Sequence, residues 1–353
     1  MSIWKLVRLK FGRNVAHFGE LGIGLEETSE RIHSDTLFSA WLSIYARFPS
    51  ADIESLIEQF KQPVPPFRLS STFIYQELNG QIIEYLPRPF RLPKNYPIGD
   101  DLEFAKTFKK LKYLPLSIWK RWYQEEGFDK EADRHELIAA TQGQATGALA
   151  QAGTFDYSKA YKIQKLPKVA IDRTSRATNF YHTGFVTYRW EPLNGSINSL
   201  SGLYFLVEFP TADPTIEQTF FQVLNLLGDA GIGGERSSGA GQFEAEVMDC
   251  SPDWVNVTGF NDGTQHSLMS LFWQPQITPE MLTEASFELK ERGGWITSPT
   301  ADAPQRRQSV RMFTEGSVFG FRPGGALADV TPRQFRAHRV YRSGICLSLP
   351  IAV

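Results

Sequence analysis

The chain has 353 residues, 42% hydrophobic and 22% charged, with a formal net charge of −2. That composition is globular rather than disordered, and the length calls for two domains. The charge balance excludes a basic surface over the whole chain, so a nucleic-acid site has to be a local patch. Two cysteines, Cys250 and Cys346, form no CxxC pair, no zinc set and no disulfide framework. "MSIWKLVRLKF" alternates and is no signal peptide, and no run of about 18 apolar residues occurs, so a cytoplasmic protein without a membrane span is expected.

Residues 3–13 read as a strand, with Val7, Leu9 and Phe11 facing one way and Arg8 and Lys10 the other. "HSDTLFSAWLSIYARF" reads as a helix with Ser34 or Asp35 as N-cap; Leu37, Trp41, Ile44, Tyr45 and Phe48 recur at helical spacing until Pro49. A short helix over about 51–60 precedes two strands that flank Asn79-Gly80, a hairpin signal. From 87 to 176 the texture changes. Prolines, the basic and aromatic run "FAKTFKKLKYLPLSIWKRWYQEE" and the small-residue run "AATQGQATGALAQAGT" read as a thumb-like insertion that projects from a compact domain, its small-residue part mobile.

Strands "FYHTGFVTYRW" and "SGLYFLVEF", linked by a turn region that holds Pro192, Asn194, Gly195 and Ser196, lead to the helix "DPTIEQTFFQVLNLLG". Asp213 caps it, Pro214 opens it and Gly228 stops it. A glycine-rich loop and the strand "QFEAEV" follow. Strand, helix, excursion, two strands, helix, strand is the order of a ferredoxin-like βαββαβ unit. Residues 253–353 show a similar succession: a strand "HSLMSLFW", a helix "TPEMLTEASFELKERGG" capped by Thr278, and three further strands. The expected architecture is α+β. It comprises two ferredoxin-like (RRM-like) domains with antiparallel sheets, 1–252 and 253–353, the first carrying the insertion at 87–176 and the glycine-rich loop.

The loop lies within "LLGDAGIGGERSSGAGQFEAEV". No lysine follows a glycine there, which excludes a Walker A loop. The order is helix, loop, strand, whereas a dinucleotide fingerprint needs strand, loop, helix. Two readings remain. Gly231, Ile232, Gly233, Gly234 and Gly239 form a main-chain nest for phosphate, with Arg236, Ser237 and Ser238 contributing charge and hydroxyls. Alternatively, the loop is a tight connection between helix and sheet edge.

Other clusters carry paired readings too. His33, Ser34 and Asp35 are neighbours in sequence, which does not make a catalytic triad. They serve a helix cap, or His33 and Ser34 bond to RNA or a neighbouring subunit. Arg173 and Arg176 suit phosphate contact with Asp172 holding one of them, or form a surface ion pair. Phe180 and Tyr181 are stacking or core residues. The segment 306–342 holds eight arginines, among them Arg307 and Arg311, against Glu315 and Asp329, a local charge of +6. It fits RNA phosphate or an acidic partner. The six histidines are scattered, so no metal ligand set is expected, and with both nucleotide-binding motifs excluded no cofactor is expected.

Four stretches resemble one family in its own order: "IHSDTLFSA" (32–40), "VAIDRTSRAT" (169–178) followed by "FYHTGFVTYRW", "DAGIGGERSSGAGQF" (229–243) and "RQSVRMFTEGSVF" (307–319). They are similar to the RAMP superfamily of CRISPR proteins, and within it to subunit four of the Csm (type III-A) effector. The resemblance implies a non-catalytic subunit that grips the 5′ tag of CRISPR RNA, with target RNA nearby. It also implies partners: the large polymerase-palm subunit and the backbone RAMP subunits. The expected RNA contacts are the loop residues above with His33, Ser34, Arg173, Arg176, Arg307 and Arg311. The alternatives are a RAMP endoribonuclease using His33 or His17, and the equivalent subunit of a type III-D or III-B complex.

Overall fold

A computed structural model describes residues 2–19, 24–78, 80–97, 102–193, 196–296 and 305–353. Its elements run β1 (Ile3–Lys10), α1 (Ser34–Tyr45), α2 (Ile53–Phe60), β2 (Arg68–Leu69), β3 (Phe73–Leu78), β4 (Gln81–Pro87), α3 (Leu102–Lys110), β5 (Tyr113–Pro115), α4 (Leu116–Tyr123), α5 (Ala132–Thr141) and α6 (Ala148–Gln151). There follow β6 (Tyr161–Ile171), β7 (Thr178–Tyr188), β8 (Trp190–Leu193), β9 (Ser196–Phe209), α7 (Pro214–Ala230), β10 (Glu244–Asp249) and α8 (Pro252–Thr258). The last part holds β11 (Gln265–Leu268), α9 (Pro279–Leu282), β12 (Leu289–Arg292), β13 (Trp295–Ile296), β14 (Gln305–Arg306) and β15 (Val310–Phe313). It ends with β16 (Val318–Phe319), β17 (Leu327–Asp329), β18 (Tyr341–Ser343) and β19 (Ser348–Ile351). Asn79 and the Asn194-Gly195 pair, expected as turns, lie outside the described residues.

The main sheet runs β10-β1-β9-β3-β4-β5, and β1, β9, β3 and β10 pair antiparallel. Each crossover through α1 and α7 skips one strand, so the two units interlock. Right-handed crossovers place both helices on one face. There Val7, Leu9, Leu203 and Phe205 meet Leu37, Trp41, Ile44, Phe220, Val223 and Leu227 in one core. The inward stripe of α7 follows the helical periodicity of the sequence, and Asp213 accepts from the N–H groups of Thr215 and Ile216 as its cap.

The opposite face of the sheet is not solvated. Leu6, Phe73, Tyr75 and Tyr204 pack under Trp119, Trp122, Trp254, Leu347 and Leu349 in a second core. Arg8, expected on an exposed basic face, is covered: its guanidinium bonds Glu84 at 2.9 Å and lies 5.2 Å from the Tyr75 ring centroid. The helices of the insertion make this cover together with α8 and β19. Phe104, Phe108, Leu137 and Leu149 are buried in it, and Glu136 accepts from the N–H groups of Leu149 and Ala150 at the start of α6. The small-residue run therefore folds onto the body. What projects is β6–β7.

Three local expectations are corrected. The N-cap of α1 is His33 and has no side-chain cap bond; Ser34 and Asp35 are drawn into other contacts described below. α7 continues to Ala230, and Gly231 (φ 78°) ends it. Gly228 is glycine for packing, since a Cβ there would sit 2.4 Å from the Phe243 carbonyl oxygen. The helix expected after Thr278 is four residues long, and its downstream part becomes β12. Among the described residues the last hundred do not repeat the four-stranded order of the first sheet. They form a three-stranded sheet, β16-β11-β19, and two-stranded ribbons.

Candidate nucleic-acid interface

The loop Gly231–Gly241 folds against the β1–α1 connection. The N–H of Gly231 donates to Leu227 (2.8 Å), that of Ile232 to Gly241 (2.9 Å), that of Gly234 to His17 (2.9 Å), that of Gly239 to Arg236 (3.0 Å) and that of Gly241 to Val15 (2.8 Å). The glycines permit close approach. A Cβ at Gly233 (φ 96°) would lie 2.3 Å from the His17 carbonyl oxygen, and one at Gly241 (φ 81°) 2.1 Å from that of Ile232. The nest expected from Gly231, Ile232, Gly233, Gly234 and Gly239 is corrected accordingly: four of those five N–H groups already donate within the protein. The loop is a brace. Arg236, Ser237, Ser238 and Gly239 are its exposed part.

The brace holds a ribbon. β6 and β7 pair along eleven residues each, from Tyr161↔Tyr188 to Ile171↔Thr178, a length of about 35 Å. Tyr188 and Val186 root it in the core, and the Tyr188 hydroxyl donates to the Glu30 carbonyl at 2.8 Å. His17 donates from Nδ1 to the Gly184 carbonyl at 2.7 Å. Lys168 donates to the Glu235 carboxylate and to Ser238 Oγ. That hydrogen bond from Lys168 holds the Glu235 carboxyl below its ordinary pKa.

Beyond its root the ribbon is exposed. Ile163, Leu166, Val169, Ile171 and Phe180 stand in solvent, Phe180 at 62%. Lys162, Lys165, Arg173 and Arg176 are exposed on the same ribbon. Asp172 does not hold an arginine: it accepts from Thr174 N–H (2.9 Å) and Ser175 Oγ (2.6 Å) and so closes the turn. The sequence gives no clear signal for Lys162, Lys165 and Lys168. In "YKIQKLPKVAI" cations and apolar residues both recur every third position, and neither face alternates cleanly.

His33, Ser34 and Asp35 form no catalytic constellation. His33 Nδ1 donates to Glu315 Oε1 at 2.8 Å, and Lys290 Nζ donates to His33 Nε2 at 3.2 Å. Arg31 donates to Glu315 Oε2 at 3.0 Å, and Ser71 also donates to Glu315. Burial works to raise the Glu315 carboxyl, but Arg31 and His33 outweigh it and hold it well below the carboxylate range. The EGS stretch is thus a turn between β15 and β16 whose acid clamps the α1 N-terminus. Gly316 (φ 86°) meets the Arg88 carbonyl, 2.8 Å from a Cβ position. Ser34 Oγ accepts from Leu271 N–H at 3.0 Å. Asp35, fully buried, takes Arg292 at 3.0 Å through both Nε and Nη2, and also Arg342. Burial raises the Asp35 carboxyl, and the two guanidinia pull it down past its ordinary value.

The arginines of 306–342 divide. Arg342 is buried on Asp35, Arg322 pairs with Glu208 at 3.0 Å and Arg339 with Asp329 at 3.4 Å. Arg306, Arg311, Arg333 and Arg336 are exposed, and Arg307 is half-buried. Among the described residues no group of His, Cys, Asp and Glu could hold a metal ion, and no helix is long and apolar enough to cross a membrane.

Residues 261–351 match the family model for the CRISPR Csm4 C-terminal domain. The Csm4 of Methanocaldococcus jannaschii is 26% identical over 338 residues, spanning 90% of this chain and 86% of its own length. That of Mycobacterium tuberculosis strain H37Rv is 25% identical over 98% of each. The chain is thus similar to the Csm4 subunits of type III-A CRISPR complexes along most of its length, and its last part matches their C-terminal domain. The fold agrees with solved members of such complexes. A chain of the Csm3–Csm4 subcomplex in the type III-A interference complex superposes with a TM-score of 0.61 at 19% identity, over 99% of this chain and 100% of that one. A chain of the Csm1–Csm4 cassette in complex with pppApApA gives 0.52 at 15%, over 100% and 99%. The shared fold is mixed α+β with antiparallel sheets.

Proposed function

We propose that this chain is the RNA-gripping subunit of a type III-A effector: it holds the 5′ tag of CRISPR RNA, with target RNA nearby, and catalyses nothing itself. The observation that carries the reading is the β6–β7 ribbon, whose five exposed large apolar residues and flanking cations face outward on an arm with no core of its own. A two-stranded ribbon is marginal alone and gains by being covered. Aromatic and apolar side chains among lysines and arginines suit a nucleic-acid strand, through stacking and phosphate contact. Arg236, Ser237 and Ser238 sit at its root and extend that surface.

The solved Csm3–Csm4 and Csm1–Csm4 assemblies support Csm3 and Csm1 as protein partners in this reading, which assigns them the roles of backbone subunit and large polymerase-palm subunit. We divide the chain into a ferredoxin-like RAMP domain, 1–252, and a second domain, 253–353, in a cytoplasmic ribonucleoprotein. The endoribonuclease alternative needs a histidine that can exchange a proton at a surface. His33 is buried with both ring nitrogens engaged, and His17 is buried against Gly184; both observations favour binding over cleavage.

The test is anisotropy of labelled guide RNA, with and without its tag, on the full chain together with its partner subunits. The tagged RNA is expected to bind more tightly, and Phe180→Ala with Arg173→Ala and Arg176→Ala to reduce that affinity. Equal binding of both RNAs would overturn the tag reading.

A further inference from the structure

At the start of β1, the length of that strand (about 26 Å) from the glycine loop, the first sheet and the last part of the chain leave a cleft between them. It encloses about 240 Å³ and is lined by Asn261, His266 and Ser348 with the ion pair of Glu208 and Arg322. A second hollow, of about 380 Å³, shares that ion pair and adds Arg68. The charges do not cancel. Glu208 is 4% exposed and accepts from Arg322 Nη2 at 3.0 Å and 3.2 Å, while Arg68 Nε lies 3.5 Å from it. Two guanidinia thus share one carboxylate. Arg68 also donates through Nη1 to the Gly324 and Cys346 carbonyls. Arg322 is less committed: its side chain is 56% exposed, and its Nε and Nη1 have no hydrogen-bond partner among the described residues.

His266 is the second donor of the cleft. Its Nδ1 shares a hydrogen bond with Ser348 Oγ at 3.3 Å, and its Nε2 has no partner among the described residues. Burial and the nearby Arg322 charge push its pKa down to about 4, so the ring is neutral at neutral pH. The strands on either side of it, β16 (Val318–Phe319) and β19 (Ser348–Ile351), carry no charged residue, and Asp262 in the loop before β11 is exposed to solvent.

We propose that this cleft binds a phosphate-type oxyanion, free or carried on a small organic group, between the unengaged N–H groups of Arg322 and His266. Three features select that class. The excess of positive charge repels a metal cation. Guanidinium, imidazole, hydroxyl and carboxamide are the donors that charge-assisted oxyanion binding uses. The volume leaves room for more than the oxyanion alone. Glu208 opposes an anion, but both arginines already neutralise it. A bound anion favours the protonated imidazole, so binding takes up a proton and strengthens as pH falls. The inference concerns a face that the RNA reading does not use, and it stands without that reading.

The experiment is isothermal titration calorimetry of sulfate, inorganic phosphate and AMP into the full chain at constant ionic strength. It compares wild type, Arg322→Ala and His266→Gln, with circular dichroism melting as a control for folding. Sulfate keeps its double charge over this range, so any pH dependence of its binding belongs to the protein. Its affinity for the wild type is expected to rise about tenfold from neutral pH to about pH 5, as one coupled proton allows. His266→Gln should still bind sulfate at neutral pH and lose that rise. Arg322→Ala should weaken binding roughly tenfold at every pH, with Arg68 left to hold Glu208. AMP binding more tightly than phosphate supports a site for a nucleotide phosphate, and equal binding supports one for the free oxyanion. The proposal is overturned if the wild type shows no saturable binding, if Arg322→Ala binds as the wild type does, or if His266→Gln keeps the full pH dependence. If the wild type takes no anion and Arg322→Ala loses a partner subunit in pull-down, the cleft is a protein contact and the proposal is wrong.

Discussion

The glycine-rich loop and the β6–β7 ribbon lie side by side and use their residues in opposite ways. The loop turns inward: its N–H groups are satisfied by Leu227, His17, Val15 and its own carbonyls, and its glycines allow backbones to touch. The ribbon turns outward: its backbone is paired within itself, and its side chains meet solvent. The loop carries the recognisable motif, and the ribbon carries the exposed chemistry. A motif in sequence can therefore mark the support of an exposed surface as well as the surface.

Substitutions separate the two kinds of region. The largest effect is expected at Asp35, inward-facing like the loop. Asp35→Ala leaves Arg292 and Arg342 buried without their carboxylate and should cost about 3–5 kcal/mol in urea unfolding. A loss below about 1 kcal/mol would mean that this junction is not framework. Gly241→Ala comes next, at about 1–3 kcal/mol, because a Cβ meets the Ile232 carbonyl at a positive φ. If it instead left stability intact and weakened RNA binding, the loop would be a ligand cradle after all.

Acid should act on the framework before the ribbon. The folded pKa values of Glu315 and Asp35 are depressed below their unfolded values. Their stabilising contribution is therefore fully present above the ordinary carboxylate range and is lost as pH falls through it towards the folded values. Melting temperature should drop below roughly pH 4.5, and Glu315→Gln should flatten that drop; an unaltered acid limb would remove Glu315 from the account.

On the ribbon the expectation reverses. Phe180→Ala with Arg173→Ala and Arg176→Ala should change stability by no more than about 0.5 kcal/mol. The salt slope of RNA binding should meanwhile fall by about 0.7 for each phosphate that no longer meets a cation. The most local effect is at the joint between the regions. Lys168→Met removes a mostly covered ion pair with Glu235, worth about 1 kcal/mol at most, and should appear as faster amide exchange along β6 and β7 without a shift in global unfolding.

Much of the fold was legible. The periodicity of α1 and α7, the Asp213–Pro214 start and the alternation of β1 are local signals, and they locate the first sheet. The misreadings share one cause. Arg8 looked exposed and the helices over 102–151 looked like a projection because the second core beneath them joins residues 6, 122 and 347, which no window of sequence brings together. Ser34 and Asp35 looked like caps because their partners, Leu271, Arg292 and Arg342, lie more than two hundred residues away. At the candidate site, the exposed cations Arg173, Arg176, Arg236 and Arg311 could be named from sequence, but the lysines of β6 could not, since their pattern matched no buried face.

The sequence alone carried the resemblance to one family, through four short stretches in their order, and the mixed α+β class, through apolar periodicity. Both rest on residue identity and near-neighbour spacing. Only the tertiary structure decided which polar residues point inward. Solvent exposure and hydrogen-bond partners depend on what the rest of the chain packs against each position. For that reason the EGS acid became a clamp on α1, the glycines a brace and the plain lysine-bearing strand the outward arm.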